Sequence, residues 1–339
     1  MHSHDPVLYR ILDANLDRAR EGLRVVEEWC RFGLSSPPLT DTCKRLRQEL
    51  AQWHSAPLRM ARNTPDDPGT ELTHAQEQQR SDIQVVLQVN LSRVQEALRV
   101  LEEYGKLYSP LMGEACKQMR YQVYTLESLL LRQQHLQKLL RSPLYLVTSP
   151  CEHLLTVVEA ALQGGLTLVQ YREKLADDST RLHVAQKLRE ICHQYNALFI
   201  MNDRVDLAVA VDADGVHLGQ QDMPIAVARK FLGPQRLIGR STTNPREMQQ
   251  AIEEGADYIG VGPVYETPTK AGKIAAGLEY VRYAAEKSSV PWYAIGGIDA
   301  NNLKHVIAAG AKRVAVVRAI MQADSPRQIT QSLLAQLID

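Results

Sequence analysis

The chain has 339 residues, 45% of them hydrophobic and 23% charged, which is a globular balance and excludes a largely disordered protein. Lys plus Arg and Asp plus Glu both number 39, so there is no basic excess of the kind a nucleic-acid binder carries. No apolar run reaches the roughly 18 to 20 residues a membrane span requires, and the opening Met1-His-Ser-His-Asp-Pro6 lacks the basic and apolar regions of a secretory signal. Five scattered cysteines (Cys30, Cys43, Cys116, Cys151, Cys192) form no C-x-x-C pair, as expected of thiols in a reducing compartment. The expectation is a cytoplasmic protein of about two domains, with no nucleic acid or membrane among its partners.

The first part, residues 1–136, reads as helix: Leu, Arg, Glu and Gln dominate, and apolar residues recur at three- and four-residue steps. Leu12, Leu16, Leu23 and Val26 would line one face. The segment is duplicated internally. Asn15/Asn90, Arg18/Arg93, Glu21/Glu96, Leu23/Leu98, Arg24/Arg99 and the pair Glu27-Glu28/Glu102-Glu103 coincide at an offset of 75, and Cys43-Lys44/Cys116-Lys117 and Arg47/Arg120 at an offset of 73. A helical unit used twice predicts a two-fold-like all-α bundle. The Pro/Gly/Asp-rich stretch 63–70 between the copies predicts a loop. Asn15, Arg18 and Glu21 stand at three-residue steps and would form a polar cluster or helical ion pairs. A structural or interface role is the favoured reading, and an Arg-rich anion site the alternative.

From 137 to 339 the pattern changes to short β-rich runs, most of them followed by a helical stretch. The predicted strands are 144–148, 166–172, 198–202, 215–219, 237–242, 258–264, 292–298 and 313–317. The clearest helices are Ser179–Tyr195, Pro245–Glu254, Asn301–Ala309 and Pro326–Leu337. Eight alternations in about 200 residues predict an α/β fold, a (β/α)8 TIM barrel. A doubly wound open sheet is the alternative, but no G-x-G-x-x-G follows the first strand.

Barrel chemistry sits at the C-terminal ends of the strands, so the polar residues there are the candidates. Alternation puts Gln170, Arg172 and Lys174 on one side of their strand. Two inward cations near the rim point to an anion, with Lys270 a further cation from another loop. Pairing of these cations with Glu173 is the plain structural alternative. Asp203 and Asp222 end adjacent strands. Two carboxylates among cations make sense with Mg²⁺ and a diphosphate between them, although Asp203 could instead cap a helix. Gly296-Gly297 and the end of the eighth strand occupy the usual barrel phosphate position. There is no Cys-His pair or Ser-His-Asp set on the rim, and His217 reads as a hydrogen-bonded core residue.

Taken together in this order, Gln170-Tyr171-Arg172-Glu173-Lys174, Asn202-Asp203-Arg204, His217 to Asp222, Gly262 to Lys270, Ala294 to Ile298 and Val314 to Ile320 resemble the thiamine-phosphate synthase family over roughly 143–339. The helical first half resembles the extension of a long form. The resemblance implies a transferase of thiamine biosynthesis. Such an enzyme joins 4-amino-2-methyl-5-hydroxymethylpyrimidine diphosphate to 4-methyl-5-(2-phosphoethyl)thiazole, or its carboxylated form, releasing pyrophosphate. Carried over by position, Gln170, Tyr171, Arg172, Glu173, Lys174, Asn202, Ser241 and Lys270 match the pyrimidine-diphosphate site, and Arg172, Lys174, Ser241 and Lys270 are the catalytic candidates. Asp203 and Asp222 match the Mg²⁺ ligands. Thr267, Pro268, Thr269, Gly297, Val317 and Arg318 match the thiazole-phosphate site, with Arg318 lying where the family commonly has a serine contact. The implied mechanism is dissociative, with the thiazole nitrogen attacking a pyrimidinylmethyl cation. Competing readings are a related isomerase barrel and a non-catalytic phosphate sensor. For the helical domain they are an oligomerisation module, making a homo-oligomer, and a second ligand site.

Overall fold

The computed structural model describes residues 5–63, 80–266 and 275–338. Two compact units emerge, Met1–Leu131 and Arg132–Asp339. Among the described residues no helix is long and apolar enough to cross a membrane, and all five cysteines are free thiols, only Cys151 being exposed.

The first unit is all helix: α1 (Pro6–Glu28), a π-helical turn over Trp29–Gly33, α2 (Pro37–Gln52), α3 (Ala56–Met60), α4 (Ile83–Tyr108) and most of α5 (Pro110–Leu140). Helix α1 starts where Asp5 accepts the Val7 amide at 2.9 Å, and α4 where Asp82 accepts the Val85 amide at 3.0 Å, satisfying donors that the first turn leaves free. Leu12, Leu16, Leu23 and Val26 are fully buried, as the periodicity predicts. The duplication is visible in the bonding. Asn15 Nδ2 donates to the Ile11 carbonyl and Asn90 Nδ2 to the Val86 carbonyl, both at 2.8 Å. Glu27 accepts from Arg24 and Arg47, and Glu102 from Arg99 and Arg120. The expected Asn15, Arg18 and Glu21 cluster does not form. Each three-residue step rotates about 60° around a helix, so Asn15 turns inward while Arg18 and Glu21 remain exposed. The loop expected over 63–70 lies, beyond Asn63, outside the described residues.

The second unit is a closed eight-stranded parallel barrel in which each strand pairs with its sequence neighbours and β1 with β8. The strands are β1 (Leu144–Val147), β2 (Leu168–Tyr171), β3 (Leu198–Asn202), β4 (Gly215–Leu218), β5 (Leu237–Thr242), β6 (Tyr258–Val261), β7 (Trp292–Ile295) and β8 (Val314–Val316). Leu146 is the hinge of closure, opposite Val169 on one side and Val316 on the other. Helices α6 (Leu154–Gln163), α7 (Asp178–Gln194), α8 (Val205–Ala210), α9 (Ile225–Leu232), α10 (Pro245–Glu253), α11 (Gly277–Lys287), α12 (Leu303–Ala308), α13 (Arg318–Met321) and α14 (Pro326–Ile338) belong to the same unit. Asp177 and Asn244 cap α7 and α10, at 2.9 and 3.0 Å from the Thr180 and Glu247 amides.

Period-two alternation divides each strand between two cores. Leu144, Leu146, Val169, Tyr171 and Phe199 pack outward against helices. Tyr145, Val147, Leu168, Leu198, Ile200, Leu237, Tyr258 and Tyr293 fill the barrel. The end of α5 plugs the floor: Leu139 joins the interior core, and Tyr293 donates to the Leu139 and Ser142 carbonyls, both at 2.8 Å. Arg132, on the same helix, pairs with buried Asp257. By their internal contacts the two units divide within α5, between Leu131 and Arg132.

Candidate active site

Strand ends β2 to β5 bring the first group of candidates together. Gln170 is buried, and its Nε2 donates to the Tyr145 hydroxyl at 2.6 Å. Arg172 leaves β2 with its backbone amide held by Thr148 Oγ1 at 3.0 Å. Ser241 Oγ lies 2.9 Å from His217 Nε2, and the Ser241 carbonyl accepts from Gln220 Nε2 at 2.7 Å. Gln170, Arg172, Asn202, His217 and Ser241 line a central cavity of about 70 Å³. Its base is a group of tyrosines that single-residue inspection of the strands does not reveal. Tyr145 and Tyr258 hydroxyls meet at 3.0 Å, and Tyr258 lies 3.3 Å from His217 Nδ1. Burial holds these two phenols, and that of Tyr293, above their usual range, so they stay protonated. Gly239 makes room for this group: a Cβ there would lie 2.3 Å from Tyr258 and 2.4 Å from His217.

Asp203 and Asp222 converge beside this cavity. Asp203 has φ of 62°, a left-handed conformation uncommon outside glycine but tolerated by Asp. Its amide donates to the His217 carbonyl at 2.9 Å, tying the end of β3 to β4. Lys174 Nζ stands 3.1 Å from Asp203 Oδ2, and Asp222 Oδ2 accepts the Gly219 amide at 2.5 Å. Burial first, and then the Asp222 carboxyl within hydrogen-bonding reach, raise the Asp203 carboxyl above the ordinary carboxylate range against the pull of Lys174.

A second cavity of about 290 Å³ opens between β7 and β8. Gly296, Gly297, Asp299, Val317 and Arg318 line it, and it shares Ile295, Ala315 and Val317 with the central cavity. Gly296 and Gly297 have φ of 111° and 65°, so the chain turns here as only glycine does readily. Arg318 is exposed at the start of α13 and has no carboxylate partner among the described residues.

Two sequence-derived candidates stand outside the cavity lining. Tyr171 neighbours the inward residues in sequence, but alternation turns its side chain into the helix-facing core, where burial pushes the phenol up to about 12. Among the described residues Glu173 pairs with no cation, and it does not line the cavity. Its Oε1 accepts the Leu175 and Ala176 amides at 2.7 and 3.2 Å, shaping its own loop. Thr267, Pro268, Thr269 and Lys270 lie outside the described residues.

Residues 144–320 match the family model described as thiamine monophosphate synthase. The thiamine-phosphate synthase of Nostoc punctiforme is 72% identical over 331 residues, covering 98% of this chain and 94% of the relative. The chain belongs to the thiamine-phosphate synthase family. It is accordingly an enzyme, a transferase of thiamine biosynthesis. The family member from Synechocystis is 67% identical over 328 residues, covering 97% of this chain and 96% of the relative. Among solved structures, thiamine phosphate pyrophosphorylase from Pyrococcus furiosus is 38% identical with a TM-score of 0.55, covering 60% of this chain and 98% of that one. Residues 10–129 match a second family model, ThiD2.

Proposed function

We propose that the barrel, with residues 137–339 as its domain, joins 4-amino-2-methyl-5-hydroxymethylpyrimidine diphosphate to a thiazole phosphate, giving thiamine phosphate and pyrophosphate. The observation that carries this is the meeting of Lys174, Asp203 and Asp222 beside a cavity lined by Gln170, Arg172, Asn202 and Ser241. The pyrimidine enters that cavity, with Gln170 and the Ser241 hydroxyl fixing the ring's orientation. Arg172 and Lys174, joined by Lys270, hold the diphosphate oxygens. The thiazole phosphate occupies the neighbouring cavity, its phosphate against the amides at Gly296 and Gly297 and the exposed Arg318.

The acids fit a small hard cation. The neighbouring Asp222 carboxyl raises the cost of ionising Asp203, and one lysine does not neutralise two acids. Mg²⁺ bound by Asp203 and Asp222 would neutralise the diphosphate and stabilise the pyrophosphate as it leaves. Arg172 and Lys174 stabilise the same developing charge from the β2 side. The methylene C–O bond breaks with its electron pair on pyrophosphate, and the thiazole nitrogen lone pair forms the new C–N bond. No proton has to be removed from the nucleophile, so the His217 imidazole is left to hold Ser241. The adjoining cavities bring nucleophile and electrophile together through the wall of Ile295, Ala315 and Val317.

Localisation in the cytoplasm and assembly into a homo-oligomer through the helical domain, residues 1–136, complete the reading. The test is product analysis with the pyrimidine diphosphate, the thiazole phosphate and Mg²⁺. Thiamine phosphate and pyrophosphate are expected in equal amounts. Ligand binding without product, or turnover independent of divalent metal, would overturn the reading.

A further inference from the structure

The two copies of the helical repeat share a frame but fill it differently. In the second copy Arg120 is fully engaged. Its Nε and Nη2 donate to Glu102 Oε2 at 3.0 and 2.8 Å, and Nη1 to the Tyr124 hydroxyl at 2.9 Å. The guanidinium also lies 5.2 and 5.6 Å from the ring centres of Tyr121 and Tyr124. In the first copy the positions equivalent to Tyr121 and Tyr124 hold Gln48 and Ala51. Arg47 meets Glu27 through Nη1 at 2.6 Å, and its Nε is buried without a partner. Where the tyrosines would stand there is a cleft of about 370 Å³, walled by Arg20, Arg24, Glu27, Lys44, Arg47 and Gln48.

The charge of that wall is one-sided. Among the lining residues Glu27, only 1% exposed, is the single carboxylate against three guanidinium groups and an ammonium. From outside the lining Glu28 pairs with Arg24, and Asp17 Oδ1 lies 3.7 Å from Arg20 Nη1. Arg20 Nε is also buried and unpartnered, and Lys44 has no carboxylate within 4.0 Å among the described residues. Gln95, the counterpart of Arg20, is neutral and bonds Glu127 at 2.8 Å, so the second copy lacks this cation too. Beyond Lys44 the surface continues into a second hollow with Arg31, Ser35, Ser36, Thr40 and Asp41, whose carboxylate pairs with Arg45 at 3.3 Å. Buried guanidinium N–H groups without acceptors are costly unless something supplies the oxygens.

We propose that the cleft between α1 and α2 binds a small phosphate-bearing anion. Three guanidinium groups and an ammonium converging from two helices suit a tetrahedral group with several oxygens better than a planar carboxylate. The volume leaves space for an organic body extending toward Ser35 and Thr40. The duplicated frame serves as scaffold in both copies, and in the first alone it also forms a site. This site is independent of the barrel chemistry.

The test is equilibrium dialysis of the full chain against labelled inorganic pyrophosphate without added metal. Lys44→Gln, and Gln48→Tyr combined with Ala51→Tyr, which installs the second copy's filling, should each weaken one class of binding at least about tenfold. Lys117→Gln, the same change in the other copy, should leave it intact. Lys44 is exposed, so its variant decides the matter if the double variant fails to fold. Unchanged binding in Lys44→Gln, or an equal loss in Lys117→Gln, overturns the proposal.

Discussion

The hydroxyls of Tyr145 and Tyr258 meet at 3.0 Å inside the barrel, and through them Gln170 on β2 is linked to Ser241 on β5. The chain runs from Gln170 Nε2 to Tyr145, on to Tyr258, across to His217 Nδ1 and out from His217 Nε2 to Ser241 Oγ. Two residues assigned to the pyrimidine site thus depend on one buried network. Such networks hold side chains in place when every polar atom is satisfied and are costly when one is not.

Tyr258→Phe cuts this network at its centre. Tyr145 and His217 each lose a partner in a buried setting, which should destabilise the protein by about 1–3 kcal/mol. With Ser241 and Gln170 less firmly held, kcat should fall more than KM rises. Urea unfolding and steady-state kinetics measure both effects. A stability change within about 0.5 kcal/mol, the range of ordinary surface substitutions, would show that the tyrosines merely fill space.

Asp203→Asn keeps the shape of the site but removes one carboxylate charge and leaves Lys174 without its 3.1 Å partner. Turnover should fall at least about a hundredfold, the scale of losing a charge-stabilising group. The Mg²⁺ concentration giving half-maximal rate should also rise. A metal titration of initial rates checks this. A near-normal rate with an unaltered metal dependence would remove Asp203 from the metal site.

Much of this was legible from local rules. Barrel topology follows from eight strand-helix alternations, and Gln170, Arg172, Asn202 and Ser241 stand where alternation and strand ends put them. Tyr145, Tyr258 and Tyr293 were not legible as a group, because they lie on β1, β6 and β7 and meet only through barrel closure. Tyr171 shows the reverse case. Proximity in sequence to Gln170 and Arg172 suggested a site residue, whereas the strand's period turns it to the other core. Glu173 is similar: a carboxylate among cations suggests ion pairing, but the backbone amides of its own loop are nearer. In the helical unit the sequence alone displayed the repeat. The difference between Arg47 and Arg120 depends on what stands one turn further along each helix.

Gly297→Ala tests the second cavity. At φ of 65° an alanine costs roughly 1–2 kcal/mol, and its Cβ would lie 2.9 Å from Tyr265 Cβ. The turn would have to shift, moving the amides assigned to the phosphate. KM for the thiazole phosphate should rise severalfold while KM for the pyrimidine diphosphate stays near its original value. A rise confined to the pyrimidine substrate would reverse the assignment of the two cavities.

His135 gives the barrel unit an acid-sensitive element. Its imidazole is 13% exposed, with Nε2 3.5 Å from Asp214 Oδ1. Burial lowers its pKa, opposed by Asp214 and reinforced by Lys138 and Arg189. The folded protein therefore keeps this imidazole neutral where the unfolded chain, with a pKa of about 6.5, already takes up a proton. Unfolding binds a proton in that window, so stability should fall as the pH drops below about 6.5, until the folded-state pKa is reached. His135→Gln removes the titrating group, and its stability curve between pH 8 and pH 5 should be shallower than that of the parent. Urea unfolding at several pH values measures the difference, with the other histidines common to both proteins. Parallel curves would mean that the imidazole titrates alike in the folded and unfolded chains, and that burial does not control its charge.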